Sequence, residues 1–466
     1  MSHDILWTSQ DIKKIVHGHI ESQWNITGIS IDSRTTKPGD LFIALKGPTH
    51  DGHDFVSLAL QNGACAALVE HNLNHINKDH LLVVDDTFKA LHELGKAGRA
   101  RSHATIFGVT GSVGKTSTKE ALRHCLSVQA ETYANMASYN NHWGVPYSLA
   151  SMPISARYGI FEMGMNHSGE ISVLTKLVLP HISIITTIEA VHLEFFKSKD
   201  DIASAKAEIF DGMNKDGIIL LNKDNLYYDF LVQKAKFKNI QHIFSFGTKE
   251  HTDIRLLSYE TSNNQNVVKA DILGQILTYN LNMTGNHWII NSLAVLGAIK
   301  LANGDINLAA QTLASFESLK GRGQRIKILL TQGSFEIIDE SYNASPIAMK
   351  AALGTLGKNK NSNHRLIAVL GDMLELGETG PQLHKDLLDP ILDEKIDLVF
   401  ACGPLMENLY QKLPLSLQGG YSKDSKNLIP DLIKNIQSDD IILIKGSLGS
   451  KMAPIVQALK ELGKGL

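Results

Sequence analysis

Short apolar runs recur along the chain, and helical patterns of apolar spacing separate them nearly throughout. The runs are LFIAL at 41–45, AALVE at 66–70, IFGVT at 106–110, GIFEMG at 159–164 and ISIITTI at 182–188. GIILLN at 217–222, LIAVLGD at 366–372, DLVFACG at 397–403 and DIILIKG at 440–446 complete the series. Each is too short for a core helix, and most meet glycine or aspartate at the far end. Such runs, each followed by a helix, predict parallel strands buried on both faces, hence an α/β fold. Repeats, low-complexity tracts and long linkers are absent. One cut is expected just before the strand at Ala104. A second is expected near Gly321–Gly323, where GRGQR follows a helix and precedes a new strand. The expected domains are 1–101, 102–321 and 322–466, the first being large enough to fold as a self-contained unit.

Composition narrows the class without changing this outline. At 466 residues about two to four domains are expected. Hydrophobic residues make up 43% and charged residues 20%, enough apolar side chain for several cores. A net charge of −3 with dispersed basic residues argues against nucleic-acid binding through bulk positive charge. Cys65, Cys125 and Cys402 lie far apart, which fits a reducing cytosol and excludes a disulfide framework or zinc knuckle. The opening MSHDILWTSQDIKKIVHG lacks the apolar run of a signal peptide. No stretch approaches the roughly 20 apolar residues of a membrane span, so membrane insertion is not expected.

Candidate chemistry begins at 111–122, where IFGVT runs into GSVGKTSTKEAL. Gly111 and Gly114, with Ser112 and Val113 between them, let the backbone turn its N–H groups toward a phosphate. Lys115 can reach the outer phosphates, Thr116 can hold magnesium, and Ser117 continues the turn into a helix whose positive end faces the same anion. The strand before and helix after make this a P-loop, although Val109 stands where the full motif has its first glycine. A P-loop alone implies a nucleotide and leaves kinase, switch and ligase open.

The neighbouring segments narrow that choice. TGSVGKTSTKE, SYNNHWGVP, FEMGMNHSGEI, AVHLEFF, SAKAEIF, LNKDN, IIDESYNASP, VLGDMLELG and ILIKGSLGSKM resemble, in order, the segments of the Mur ligase family. DSRTTKPGDLFIALKG near the start resembles the UDP-sugar-binding segment of the members that add the third residue or the dipeptide. SYNASP and GDMLELG look like the dipeptide-adding member, and the DNPR-type motif of the diaminopimelate-adding member is absent. The resemblance spans nearly the whole chain. It implies a central P-loop ATPase-like parallel sheet, flanked by an N-terminal UDP-substrate α/β domain and a C-terminal Rossmann-like α/β domain. It further implies ATP-dependent joining of D-alanyl-D-alanine to UDP-N-acetylmuramoyl-tripeptide in the cytoplasm, during peptidoglycan synthesis, by a protein expected to be a monomer.

The same resemblance implies the site. ATP phosphorylates a carboxylate and the amine displaces phosphate, so catalysis is mainly positioning and cation clamping. Lys115, Glu162, His192 and Lys206 are the implied catalytic residues. Two magnesium ions are expected, one on Thr116 and one on Glu162, His192 and Lys206. Lys206, in the Ala-Lys-x-Glu context that Lys199 and Lys215 lack, is implied to be carbamylated, which turns an ammonium into an oxygen ligand. Glu208 beside it reads as a helix N-terminal charge complement. Asn291 resembles an adenine contact, with Trp288 beside it where the family often has a second asparagine. The arginine reaching the phosphates is Arg325 by its spacing to Asp339, or Arg322 by the Gly-Arg pair. Asp339, Tyr342 and Asn343 open the third domain's nucleotide-facing loop. Ser33, Arg34, Leu45, Lys46 and Gly47 resemble the uridine diphosphate pocket, Asn140 and Asn141 line the sugar–peptide cleft, and Lys445 and Ser447 could hold a substrate carboxylate.

Two other readings have their own discriminators. A sibling ligase acting on another growing peptide, such as one adding the third residue, or on folate is one; a folate ligase would begin near the P-loop and lack the DSR…ALKG segment. A P-loop regulatory switch needs no Glu162–His192–Lys206 set.

Overall fold

The computed structural model describes residues 5–136, 139–190, 194–262, 265–283, 285–361 and 363–463. Among them every apolar run named above forms a strand in a parallel pairing, because each is buried on both faces. The strands form three main sheets. The first has four parallel strands in chain order, Gly28–Ser30, Asp40–Ile43, Ala66–Val69 and Leu81–Val83. The second has nine strands. Its strand Thr105–Thr110 lies between Ile182–Ile185 and Tyr158–Glu162. At its far edge Ile254–Ser262, Gln265–Ile272 and Gln275–Leu281 form an antiparallel meander. The third sheet has six strands, with Ser334–Glu340 between an antiparallel edge strand, Gln324–Leu329, and the parallel Ile441–Lys445. No helix among the described residues is long and apolar enough to cross a membrane.

The chain order of the strands breaks at Thr105–Thr110, whose neighbours on either side come from later crossovers. An open α/β sheet forms a crevice at such a point, beyond the C-terminal strand ends. Register then decides which residues face it. Glu162 pairs with Val109, so it ends its strand level with the start of the glycine turn. In the third sheet Glu340 pairs with Lys445, and both end their strands.

The first sheet is not closed by its own segment. Its core takes in Ala150, with Trp143 and Tyr147 packed against it, all from beyond residue 101. Helix Thr87–Arg101 lies directly on Gly144–Ala150. Trp7 Nε1 donates to Ala150 O at 2.8 Å, while the Arg101 guanidinium sits 3.4 Å from the centre of the Trp7 ring. The contact depends on Gly98, where an added Cβ would fall 2.2 Å from Leu149 O and 2.8 Å from its carbonyl carbon. Backbone cannot move aside as a flexible side chain can. Gly98→Ala should therefore destabilise the protein by about 1–3 kcal/mol, the usual range for an overpacked contact. Urea melts followed by tryptophan fluorescence check this, since Trp7 and Trp143 flank the contact. An unchanged midpoint would mean that the helices are not in register as described.

Candidate active site

Local geometry explains the phosphate loop first. Strand Thr105–Thr110 ends at Gly111, and helix Lys115–Ser127 starts directly after Gly114. Gly114 has φ +88°, and a Cβ there would meet Asn291 Nδ2 at 2.9 Å. The positive φ is what favours glycine here, and the contact with the Asn291 side chain places that amide directly against the loop. Ser112 N donates to Thr187 O at 2.8 Å, and Thr186 Oγ1 donates to Val113 O at 2.6 Å, which fixes the turn to the next strand end. Lys115 Nζ folds back onto Gly111 O at 2.8 Å and Ser112 O at 3.3 Å. Burial lowers the Lys115 pKa, Glu162 opposes that, and Arg322 adds repulsion.

Glu162 is only 1% exposed. Its Oε2 accepts from Thr116 Oγ1 at 2.7 Å and its Oε1 from Asn140 Nδ2 at 2.8 Å. Lys206 is 0% exposed, and its Nζ has no hydrogen-bond partner among the described residues. Burial, and then the charge of Lys115, hold its pKa well below the ordinary lysine value, against the pull of Glu162, Glu208 and Glu170. Lys199 and Lys215 are exposed. Glu208 accepts from Gly169 N at 2.7 Å and Ser172 N at 3.2 Å, capping the start of helix Glu170–Val178. His192 lies outside the described residues. No group of three or more His, Cys, Asp or Glu among the described residues is placed to hold a metal.

A cleft of about 540 Å³ between the second and third sheets gathers Lys115, Thr116, Asn140 and Glu162, while Lys206 and Glu208 are not among its lining residues. The loop 112–117, Asn140, Glu162 and Asn291 line one side, and Arg322, Tyr342, Asn343 and Lys445 line the other. Trp288 both joins the second sheet's core and lines this cleft. His287 and Glu340 also reach the cleft; Glu340 lies within IIDESYNASP but is not singled out there, and His287 lies outside the segments named above. Lys445 Nζ donates to Glu340 Oε2 at 2.7 Å and to Asn343 O at 3.0 Å. Burial raises the Glu340 pKa, but the adjacent ammonium more than offsets it and holds the carboxyl below its ordinary range. Burial lowers the His287 pKa.

Several expected residues are elsewhere. Arg325 does not face the cleft; it extends along its strand to Glu336 and Asn359. Arg322, three residues earlier in the turn, faces it, with its guanidinium 4.0 Å from the centre of the Tyr342 ring. Asp339 is 0% exposed, and its carboxylate accepts from Gly321 N, Ser341 N and Ser341 Oγ, so it supports the turn from behind. Asn141 caps its own helix through Trp143 N and Gly144 N. The Ser447 hydroxyl accepts from Leu374 N at 2.9 Å and braces the 372–377 loop.

A second cavity, of about 370 Å³, opens between the first sheet and the 142–143 segment. Leu45 and Lys46 line it with Glu70, Asp86, Phe88 and Trp143. Gly47 closes its turn by donating to His50 O. Ser33 and Arg34 do not line it. The Ser33 carbonyl accepts from Asn62, and Arg34, its side chain 83% exposed, forms a two-pronged pair with Asp32.

Comparison with known proteins places this arrangement. The chain matches the family models for the Mur ligase middle domain over residues 109–299, for Mur ligase, glutamate ligase domain, over 321–448, and for Mur ligase family, catalytic domain, over 25–100. The UDP-N-acetylmuramoyl-tripeptide–D-alanyl-D-alanine ligase of Rickettsia prowazekii is 36% identical over 97% of this chain and 99% of its own length. A crystal structure of MurF from Acinetobacter baumannii superposes with a TM-score of 0.84 at 29% identity, covering 98% of this chain and 99% of that one. MurF ligase from Thermotoga maritima in complex with ADP gives a TM-score of 0.76 at 25% identity, over 94% and 98%. With a phosphate loop, a facing third sheet and full-length relatives on one pattern, this chain belongs to the Mur ligase family.

Proposed function

We propose that the protein joins D-alanyl-D-alanine to UDP-N-acetylmuramoyl-tripeptide with ATP, giving the pentapeptide, ADP and phosphate in the cytoplasmic stage of peptidoglycan synthesis. The observation that carries this is the single cleft into which the phosphate loop of one sheet and Arg322, Tyr342 and Lys445 of another both project. A regulatory switch needs only the loop. A ligase needs two reactants held together away from water, because an acyl phosphate that meets water hydrolyses. Similarity to full-length relatives named for this reaction supports the substrate choice. The domain limits proposed with it are 1–101, 102–321 and 322–466, and the cavity beside Leu45 and Lys46 is proposed for the uridine diphosphate end. The three free cysteines agree with a reducing compartment.

In this reading the terminal phosphoryl group of ATP passes to a carboxylate oxygen of the tripeptide and ADP leaves. The neutral amine of the dipeptide attacks the carbonyl carbon, loses its proton, and expels phosphate. Lys115 and Arg322 stabilise the negative charge that accumulates in both steps. Asn291, against the loop at Gly114, is proposed to meet the adenine. Magnesium, when bound, would neutralise phosphate charge and orient the oxygens. The donor set fits two such ions, since Thr116 offers a hard oxygen to one and Glu162, beside it, to the second. Lys206 fits through carbamylation: its Nζ is buried without a hydrogen-bond partner among the described residues and its pKa is lowered by burial, and the neutral amine is the form that adds CO₂ to give a carbamate and a proton. His192 remains part of the proposed metal set.

Three measurements test this reading. ADP release should require both D-alanyl-D-alanine and a UDP-tripeptide, and trials with the diaminopimelate and lysine forms identify the third residue. Release that ignores the dipeptide would favour the switch. Lys115→Ala should cut turnover roughly a hundredfold or more with an unchanged melting curve, because it removes a charge contact made to the reacting phosphates. Near-normal turnover in the folded variant would rule out the loop as the ATP site. Lys206→Ala should lose most activity and regain part of it in acetate at fixed ionic strength, while Lys199→Ala and Lys215→Ala stay mild and insensitive to acetate. A fully active Lys206→Ala enzyme would exclude the carbamate.

A further inference from the structure

Asn135 lies in none of the segments assigned above, yet it is 0% exposed. Its side-chain amide is fully engaged. Oδ1 accepts from Glu162 N at 2.9 Å, while Nδ2 donates to Glu162 O at 3.1 Å and to Tyr139 O at 2.7 Å. One amide thus holds both backbone polar groups of Glu162, and with them the direction in which its side chain leaves the strand. The same amide anchors Tyr139, next to Asn140, whose Nδ2 donates to the Glu162 carboxylate. The opposite end of Asn135 is held by Lys119, which is also 0% exposed and sits on the phosphate-loop helix. Lys119 Nζ donates to Asn135 O and pairs with Glu120 at 2.8 Å. A lysine is rarely buried this deeply unless its ammonium has fixed partners.

We infer that Asn135, braced by Lys119, is a positioning residue that sets the Glu162 carboxylate beside Thr116 in the geometry a divalent cation requires. The inference rests on the proposed reading of Glu162 and Thr116 as oxygen ligands. Groups behind a ligand normally control metal affinity by fixing its orientation, and their loss weakens binding by about 10- to 100-fold.

The test is Mn²⁺ binding in the presence of ADP, followed by electron paramagnetic resonance of free Mn²⁺, without turnover. Asn135→Ala should weaken Mn²⁺ binding about tenfold or more. ADP affinity without metal and the near-ultraviolet circular dichroism should stay as in the parent protein, which a general loss of structure would not allow. Lys119→Met should shift Mn²⁺ binding in the same direction. Thr118→Val is the control: its buried hydroxyl has no partner among the described residues, so it should bind Mn²⁺ like the parent. Glu162→Gln supplies the reference loss. Parent-like Mn²⁺ binding in Asn135→Ala and Lys119→Met, with weak binding in Glu162→Gln, would overturn the positioning role. Parent-like binding in Glu162→Gln would instead overturn the ligand reading itself. If Asn135→Ala does not fold, Lys119→Met alone decides.

Discussion

A carboxylate buried at the end of a central strand is costly unless every lone pair finds a donor, and the architecture around Glu162 follows from that requirement. Thr116 serves one oxygen and Asn140 the other, so the phosphate-loop helix and the 139–143 segment are both drawn to one point. Parallel register places that point level with Val109, where the chain turns away into the glycine loop. The strand end, the loop and the neighbouring segment are therefore a single construction. A change in any one leaves a buried charge without its partner.

Electrostatics explain why this construction suits a phosphate rather than merely tolerating an acid. Lys115 and Arg322 bring cationic groups to the cleft, with Lys206 buried near Lys115, while the Lys445 charge is already matched by Glu340. Glu162, Glu208 and Glu170 oppose the repulsion from Lys115 without cancelling the cost of burial, so Lys206 favours its neutral form. Its depressed pKa is thus a consequence of burial beside another cation.

Much of this was legible in the sequence, because buried parallel strands leave continuous apolar runs and a phosphate loop must be a local string. The antiparallel meander at 254–281 was not legible in that way. One of its faces meets solvent, so its apolar residues alternate with polar ones: Gln265–Ile272 alternates exposed and buried along its length. Orientation was the other gap. Arg322 and Arg325 are three apart, and spacing alone does not tell which leaves a turn and which runs along an edge strand. Asp339 and Ser447 resemble ligands because they stand at strand ends, yet their oxygens are taken by nearby N–H groups. For Lys119 a signal did exist. It lies three and seven residues before Leu122 and Leu126, on the buried stripe of its helix, where a lysine needs a partner.

The packing also separates what is fixed from what can move. The first sheet borrows core from the second through Ala150, Trp143 and Tyr147, and the Gly98 contact leaves no room for sliding. The third sheet meets the second differently. Across the cleft, polar residues such as Asn140 and Arg322 and apolar ones such as Trp288, Ile290 and Ile347 line open space. The chain enters it through the 321–323 turn, which Asp339 braces from behind. Arg322 sits in that turn. Its guanidinium lies over the Tyr342 ring, so the turn that joins the two sheets also sets the charge that faces the phosphate loop across the cleft.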